Sequence, residues 1–421
     1  MNGRIAVIGG GVAGCSAAWH LTQRGVQVVL FEAASQLGGR ATTSRTDGVT
    51  IDTGAGFICN FYPEVLATLD TLGLRGDVVP LAPTSGFLKD GQLGTMTLGS
   101  IGSFLRFPFL GWRDKARFAA EMGKRTLQRR RYDLHDPHIL APYDTEDMAT
   151  ASIRELGESI YHHGIRPGVE PFWFFRCEDA SQAMLLALCS RVVEGGIVGL
   201  RGGMDTLATA LARDADVRLD SPVRSVGPGS VVDGEAFEGV VVALPGSGAL
   251  RVADAVLTPD QRAFYRGLRY IPQVHVGFVV ESGWPDGCAV LIPIGPGEHD
   301  IGILSLQTPK HGAPKPGHDL VSVFLSGAAS ARLIDHSDDE IIGKVWQMAR
   351  AERPEFPASA QSVGVWRRRE ALPVPVPGHY RRASAFLRTQ QPPVVFAGDH
   401  FSTPNLEGAL LSGRWAAQAL L

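Results

Sequence analysis

The sequence predicts an α/β fold on a parallel sheet, joined to an inserted α+β unit of mixed sheet and helices, and three observations carry that reading. A strand-like apolar run, residues 5–8, leads into a glycine-spaced turn, a helix and a second strand within one βαβ unit. A strand–turn–helix stretch of the same kind closes the chain from residue 394 onward. Finally, 421 residues exceed what one ordinary core holds, so the middle of the chain is expected to supply a second domain.

In the opening unit, Gly9-x-Gly11-x-x-Gly14 stands at the mouth of a helix. Gly9 permits the tight turn, Gly11 lets a pyrophosphate approach the backbone, and Gly14 lets the helix lie close on the strand. Phosphates then rest on the orphan N–H groups of a positive helix end, where Val12 and Ala13 begin the first turn. The helix stops at Gly25, a left-handed cap. A second strand over residues 26–31 ends in Glu32, eighteen residues past Gly14 and followed by Ala33. An acid at that place takes the two hydroxyls of an adenosine ribose, which completes a dinucleotide site.

Further on, Gly38-Gly39-Arg40, then Gly48, then Asp52-x-Gly54-Ala55-Gly56 resemble the second signature of the flavoprotein superfamily that holds amine oxidases, protoporphyrinogen oxidases and carotenoid desaturases. The resemblance implies FAD and a Rossmann-like FAD-binding domain of the glutathione-reductase type. It implies that Arg40 and these glycines lie along the pyrophosphate and the dimethylbenzene side of the flavin. By the same resemblance, Gly202-Gly203-Met204-x-x-Leu207 opens a helix returning to the first domain, and the backbone of Val223 meets the adenine edge; the alternative for Val223 is a plain strand valine.

The end of the chain repeats the physics of its beginning. A strand at residues 394–397 delivers Gly398-Asp399, and a helix starting near Leu406 carries Glu407-Gly408-Ala409. A carboxylate at a strand end can accept from ribityl hydroxyls, and free N–H groups at a helix start can hold the flavin O2, where negative charge develops on reduction. The resemblance assigns Asp399 the first role and Leu406 N–H, with Gly408 and Ala409, the second.

Composition bounds the partners. A net charge of −3 favours no nucleic acid. The five cysteines, Cys15, Cys59, Cys177, Cys189 and Cys288, form no CxxC, and no His/Cys/carboxylate cluster stands at ligand spacing, so a reducing, cytoplasmic setting and no metal are expected. Three residues before the first strand leave no room for a signal peptide, and no run of eighteen apolar residues spans a bilayer. The oligomeric state is left open.

The signatures divide the chain into an FAD-binding domain, residues 1–80, 196–250 and 386–421, and a substrate-binding domain, residues 81–195 and 251–385. A helix is expected over residues 63–72 and a glycine-punctuated strand region over residues 86–99. A strongly basic segment, residues 113–131, follows, in which Ala116, Ala119, Ala120, Gly123 and Leu127 recur at helical spacing with Lys and Arg between them. Two readings stand for residues 104–131. One is peripheral membrane contact or a lipophilic-substrate entrance, with Phe104, Leu105, Phe107, Phe109, Leu110 and Trp112 as an apolar lip. The other is a core helix with one solvated face.

Residues 145–195 are helical in pattern, with an interruption expected at Arg166-Pro167-Gly168. The run Phe172-Trp173-Phe174-Phe175 cannot face one side of a helix, so cavity lining and core packing both stand for it. Strands over residues 273–280, 290–294 and 301–306 and a helix over residues 338–352 belong to the second domain.

If FAD accepts a hydride, the protein need only position the carbon that gives it up, and few catalytic side chains are required. The lysine of the amine-oxidase type has no counterpart in residues 273–277, and Cys288 is far upstream of the final helix, so the FAD is expected to be non-covalent. His400 and His275 are the nearest acid/base groups, with a structural histidine as the alternative for each. The expected activity is an oxidase or desaturase taking a hydride from a hydrophobic or alicyclic small molecule, with dioxygen or another electron acceptor. One alternative is a flavin amine or amino-acid oxidase, with Tyr380, Trp366 and Arg176 as its cage and carboxylate-binding groups. The other is an FAD-containing isomerase or non-redox carrier of the same fold.

Overall fold

Five short parallel strands gather distant parts of the chain at one sheet edge. In the computed structural model, which describes residues 3–191, 194–281, 283–285 and 287–421, their order is Asp216–Arg218, Gln27–Phe31, Arg4–Ile8, Gly239–Val242 and Val394–Phe396. These strands read as continuous apolar runs because both faces of the sheet are covered. On one face Ile5, Val7, Val28, Val241 and Val395 pack under helices Val12–Thr22, Asp205–Leu211 and Leu406–Leu420. The first and last of these helices approach so closely that a Cβ on Gly413 would stand 2.2 Å from the Ala13 carbonyl oxygen. On the other face Ala6, Ile8, Val240 and Val242 meet helices Gly246–Ala253, Pro259–Arg266 and His379–Thr389.

A second, seven-stranded sheet runs in the order Gln361–Val374, Arg269–Glu281, His318–Leu325, Ile301–Leu306, Cys288–Pro293, Thr84–Lys89 and Gln92–Thr97. It is antiparallel except where Cys288–Pro293 pairs with Thr84–Lys89, so it is mixed, as expected. The helices of residues 101–190 cover one of its faces and helices Gly327–Leu333 and Asp338–Glu352 the other.

Some local expectations change. Arg166-Pro167-Gly168 does not break the helical path but marks a change of winding, where the π-helical turn Tyr161–Ile165 passes directly into helix Arg166–Trp173. Phe107 and Leu110, expected on an apolar lip, are buried in the core. Residues 114–127 do form a helix with one face on the core and one in solvent, but Phe118, Met122 and Arg125 make the packed face rather than the small-residue stripe. Helix Trp112–Leu127 buries only Met122 and Arg125, while Ala116, Ala119, Ala120, Gly123 and Leu127 are exposed. Its apolar stripe faces outward because the neighbouring helices meet it along the opposite side.

Candidate active site

Because the five strands run the same way, their C-terminal ends form one edge, and a cavity of ≈ 1670 Å³ opens beside it. Ligands bind at such an edge in open parallel sheets. Gly9, Gly11, Val12 and Ala13 line it from the first turn, Glu32 and Ala34 from the second strand, residues 243–245 from the fourth, and Gly398 and Asp399 from the last. Gly9 has φ +106°, and a Cβ there would stand 2.6 Å from Ala243 O. Gly14 lies behind the wall, where a Cβ would meet Gly9 O at 1.9 Å, so it sets the helix onto the strand. Over Gly11 the space is open, with Gly39 Cα the nearest atom at 4.0 Å from a built Cβ. The Glu32 carboxylate accepts from Gly10 N at 2.6 Å and Ala34 N at 2.8 Å, and so braces the glycine turn.

The second glycine group closes on the first through Gly38 N to Gly10 O at 2.8 Å. Arg40 Nη2 then reaches Asp399 Oδ1 at 2.7 Å, and Arg40 Nη1 reaches Ala371 O at 3.1 Å. This ion pair joins the two ends of the chain inside the cavity wall. Ala55 N donates to Arg40 O at 3.0 Å, which seats Gly54, Ala55 and Gly56 along the same wall. Leu406 and Ala409 complete it, whereas Ala33, Val223, Gly408 and Gly14 do not line it. Gly408 N–H is not free as expected. It caps its own helix by donating to Asn405 Oδ1 at 2.8 Å, which leaves Leu406 N–H as a first-turn donor at the wall.

The roles of three groups escaped the sequence reading, although Asp52 stands in the second signature itself. Asp52 is a buried hub. Its Oδ1 accepts from Thr43 Oγ1 at 2.8 Å and Met204 N at 3.0 Å, and its Oδ2 meets Lys310 Nζ at 2.5 Å and His311 Nε2 at 3.2 Å. Lys310, itself buried, also donates to Gly56 O at 2.7 Å from behind the wall. Burial works to raise the Asp52 pKa, but Lys310 and His311 outweigh it and hold the carboxyl well below its usual range. Arg368 lines the cavity and donates to Thr42 Oγ1 at 2.7 Å and Thr53 O at 3.2 Å, and among the described residues it meets no carboxylate. Burial, then the neighbouring Arg40, lower its pKa to about 10. Its place in the run Arg367-Arg368-Arg369 resembles a solvated charge cluster, which concealed it.

Neither proposed acid/base histidine reaches the cavity. His400 is fully buried among Phe264, Tyr265 and Phe401, and His275 lies between Phe324 and Trp366 at ring distances of 4.4 and 4.9 Å. Burial drives the His400 pKa well below its ordinary value and the His275 pKa to about 3, so both are neutral packing groups. The sequence neighbours that suggested a role, Gly398-Asp399 for one and the substrate strand for the other, say nothing of which way a ring turns. Among the described residues no group of three or more His, Cys, Asp or Glu is arranged to hold a metal ion.

Beyond the sheet edge the wall is apolar. Phe57, Phe61, Phe87, Phe172, Trp173 and Phe174 line it, with Trp173 anchored by Nε1 to Pro404 O at 2.9 Å, while Phe175 is core. Polar groups are sparse, chiefly Gln273, Gln307, Ser85 and Ser305, with Arg191 and Lys115 as cations. Arg191 is paired with Glu194 at 3.1 Å. The groups suggested for an amine or amino-acid substrate are elsewhere. Tyr380 is fully buried against Thr403, Trp366 stacks on His275 outside the wall, and Arg176 is exposed and paired with Glu178 and Glu298.

At the start of the last helix, Glu407 is buried and accepts from Glu64 N at 2.8 Å and Val65 N at 2.7 Å, capping helix Pro63–Thr71. Burial pushes its carboxyl up to about 7. A raised acid pKa means that the unfolded chain ionises first, so stability falls as pH rises from the ordinary Glu range to about 7 and then levels. The fall is expected to be at most ~3 kcal/mol. Glu407→Gln should flatten it in urea unfolding measured from pH 5 to 8.

Geometry alone defines an α/β protein whose parallel-sheet edge, with its glycine turns, opens into an apolar compartment. The chain belongs to the family described as flavin containing amine oxidoreductase, whose model matches residues 12–421. It is therefore an enzyme, a flavin-dependent oxidoreductase, and the non-redox carrier reading is set aside. It is 24% identical to the coproporphyrinogen III oxidase of Propionibacterium freudenreichii subsp. freudenreichii over 99% of this chain and 90% of that one. Its fold superposes with TM-score 0.78 on an Exiguobacterium sp. 255-15 protein provisionally named a protoporphyrinogen oxidase, at 18% identity and covering 100% and 99% of the two chains. The cyclohexylamine oxidase of Brevibacterium oxydans IH-35A is similar in fold, with TM-score 0.75, 18% identity and the same coverage.

Proposed function

We propose that the protein is an FAD-dependent oxidase or desaturase that binds FAD non-covalently and takes a hydride from a hydrophobic or alicyclic small molecule, passing the electrons to dioxygen or another acceptor. The observation that carries this reading is the cavity. Its ≈ 1670 Å³ exceeds the roughly 300–1,000 Å³ of ordinary ligand pockets, so it has room for a dinucleotide and a second molecule, and the second compartment is apolar. The relative named for coproporphyrinogen III supports a bulky ring substrate.

In this reading residues 1–80, 196–250 and 386–421 hold the cofactor and residues 81–195 and 251–385 the substrate. The open backbone at Gly11 and the N–H groups of Val12 and Ala13 take the diphosphate, and Glu32 the adenosine ribose. Asp399 takes the ribityl hydroxyls, and Leu406 N–H the flavin O2. Arg368, which meets no carboxylate among the described residues, adds to Arg40 a second positive charge suited to an anionic cofactor. The flavin supplies a hydride acceptor when bound. Phe57, Phe172, Trp173 and Phe174 exclude water and fix the face that the substrate presents. An ammonium form is disfavoured beside Phe57, Phe172, Trp173 and Phe174, since burial there costs a charge its hydration and the suggested aromatic cage lies elsewhere.

Acid precipitation of the yellow protein should leave FAD in the supernatant, and colour retained by the pellet would overturn non-covalent binding. Anaerobic flavin bleaching should then be selective for alicyclic, isoprenoid or porphyrinogen compounds over primary amines and amino acids. Bleaching by simple amines alone would sink the substrate assignment.

A further inference from the structure

Among the described residues ten large apolar side chains are exposed, and five of them, Leu98, Ile101, Leu105, Trp112 and Leu127, stand together on the rim of the one large cavity. Ile101 is 77%, Leu105 61%, Trp112 75% and Leu127 89% exposed, so these are protruding side chains rather than partly packed ones. They belong to helices Ile101–Arg106 and Trp112–Leu127, and the exposed stripe Ala116, Ala119, Ala120 and Gly123 links them. Isolated exposed apolar residues are ordinary, whereas a contiguous group of them around a cavity mouth marks a surface that something covers.

Charge identifies what covers it. Residues 98–131 carry nine Arg and Lys against Asp114 and Glu121, a net of +7 in a chain whose total is −3. Arg125 is buried between Glu121 and Glu155, but Arg113, Arg117, Lys124, Arg129, Arg130 and Arg131 are exposed around the apolar rim. A second copy would bring two such cationic rims face to face, which like charge opposes. An anionic bilayer satisfies both features, because apolar side chains enter the acyl boundary while guanidinium groups meet the phosphates. No helix among the described residues is long and apolar enough to cross a membrane, so the contact lies in the interfacial plane.

We propose that this rim docks on an anionic lipid surface, with Ile101, Leu105, Trp112 and Leu127 inserted below the headgroups and Arg129, Arg130 and Arg131 at the phosphates, so that the apolar cavity opens toward the acyl chains. Docking stands on the surface alone, and only the passage of substrate from lipid to cavity rests on the function proposed above.

Flavin-loaded protein is to be sedimented with vesicles of phosphatidylcholine alone and of phosphatidylcholine and phosphatidylglycerol in equal parts. Binding is expected to the mixed vesicles and to weaken as salt is added. Replacing the three arginines (R129Q/R130Q/R131Q) should lower the binding constant roughly 100-fold, since each basic residue near an anionic surface contributes about a factor of five. L105S/W112S should weaken binding comparably and abolish the quenching of tryptophan emission by brominated lipid. Protein with normal circular dichroism that binds mixed vesicles no better than phosphatidylcholine would overturn the proposal. So would binding unaltered in both variants, or a doubling of mass in light scattering that L105S/W112S reverses, which would assign the rim to a second copy. None of these arms reads turnover, so a wrong substrate class leaves the outcome unaffected.

Discussion

Gly11→Ala is expected to give a folded but colourless protein. A Cβ at this position meets nothing nearer than Gly39 Cα at 4.0 Å, and the residue has φ −75°, a value any amino acid adopts. Nothing in the protein itself therefore resists the methyl group. On the function proposed above, the resistance comes from the dinucleotide, whose pyrophosphate would lie against this backbone at the start of helix Val12–Thr22. Displacing it forfeits two charge-assisted hydrogen bonds of about 1.5–3 kcal/mol each, a loss of roughly 100- to 10,000-fold in affinity. Flavin fluorescence titration of the apoprotein measures that loss, and thermal unfolding without flavin should match the wild type. Gly14→Ala supplies the contrast, since its Cβ would lie 1.9 Å from Gly9 O and the fold itself should suffer. Wild-type flavin content in Gly11→Ala would remove the pyrophosphate from this turn.

Lys310→Met should produce the largest loss of stability. Lys310 and Asp52 are each buried, their charged atoms 2.5 Å apart, and they bind residues 43, 52, 56 and 204 to the short helix Thr308–His311. Removing one member of a buried pair leaves the other charge uncompensated, at a cost of about 3–5 kcal/mol. The pH dependence gives the effect a sign. In the wild type the Asp52 pKa is depressed, so its contribution is complete above the ordinary carboxylate range and is lost as pH falls below it. In Lys310→Met burial dominates, the Asp52 pKa rises, and acidification should relieve the defect rather than deepen it. Urea unfolding at pH 4 and pH 7 distinguishes the two slopes. Asp52→Asn/Lys310→Met should cost less than the two single changes together. Additive losses would show that the pair is not coupled.

What could be read from the chain was local. The glycine turn at residues 9–14, Glu32 at a strand end, Gly38-Gly39-Arg40 and Gly398-Asp399 are each short patterns whose meaning lies in the conformation of a few neighbouring residues, and backbone sterics make such patterns legible. The mixed sheet was legible too, from alternating apolar runs, although strand Gln361–Val374 was hidden by its charged centre. Orientation was not legible. His400 follows Asp399 directly, yet Asp399 faces the cavity and His400 packs against Phe264, and only the packing of helix Pro259–Arg266 decides that.

Long-range pairing was equally beyond reach. Arg40 and Asp399 are 359 residues apart and meet only because the sheet order seats the last strand two places from the first. Lys310 stands in Gln307-Thr308-Pro309-Lys310-His311, a polar run, until the packing of that run against residues 52–56 desolvates its ammonium group and gives it Asp52. The sequence by itself determined the glycine turn at the sheet edge, because such a turn is specified by residues in immediate succession. Tertiary structure alone decided which side chains share the cavity, which histidines are packing and which cations are buried, because burial and pairing depend on segments that the chain brings together only by folding.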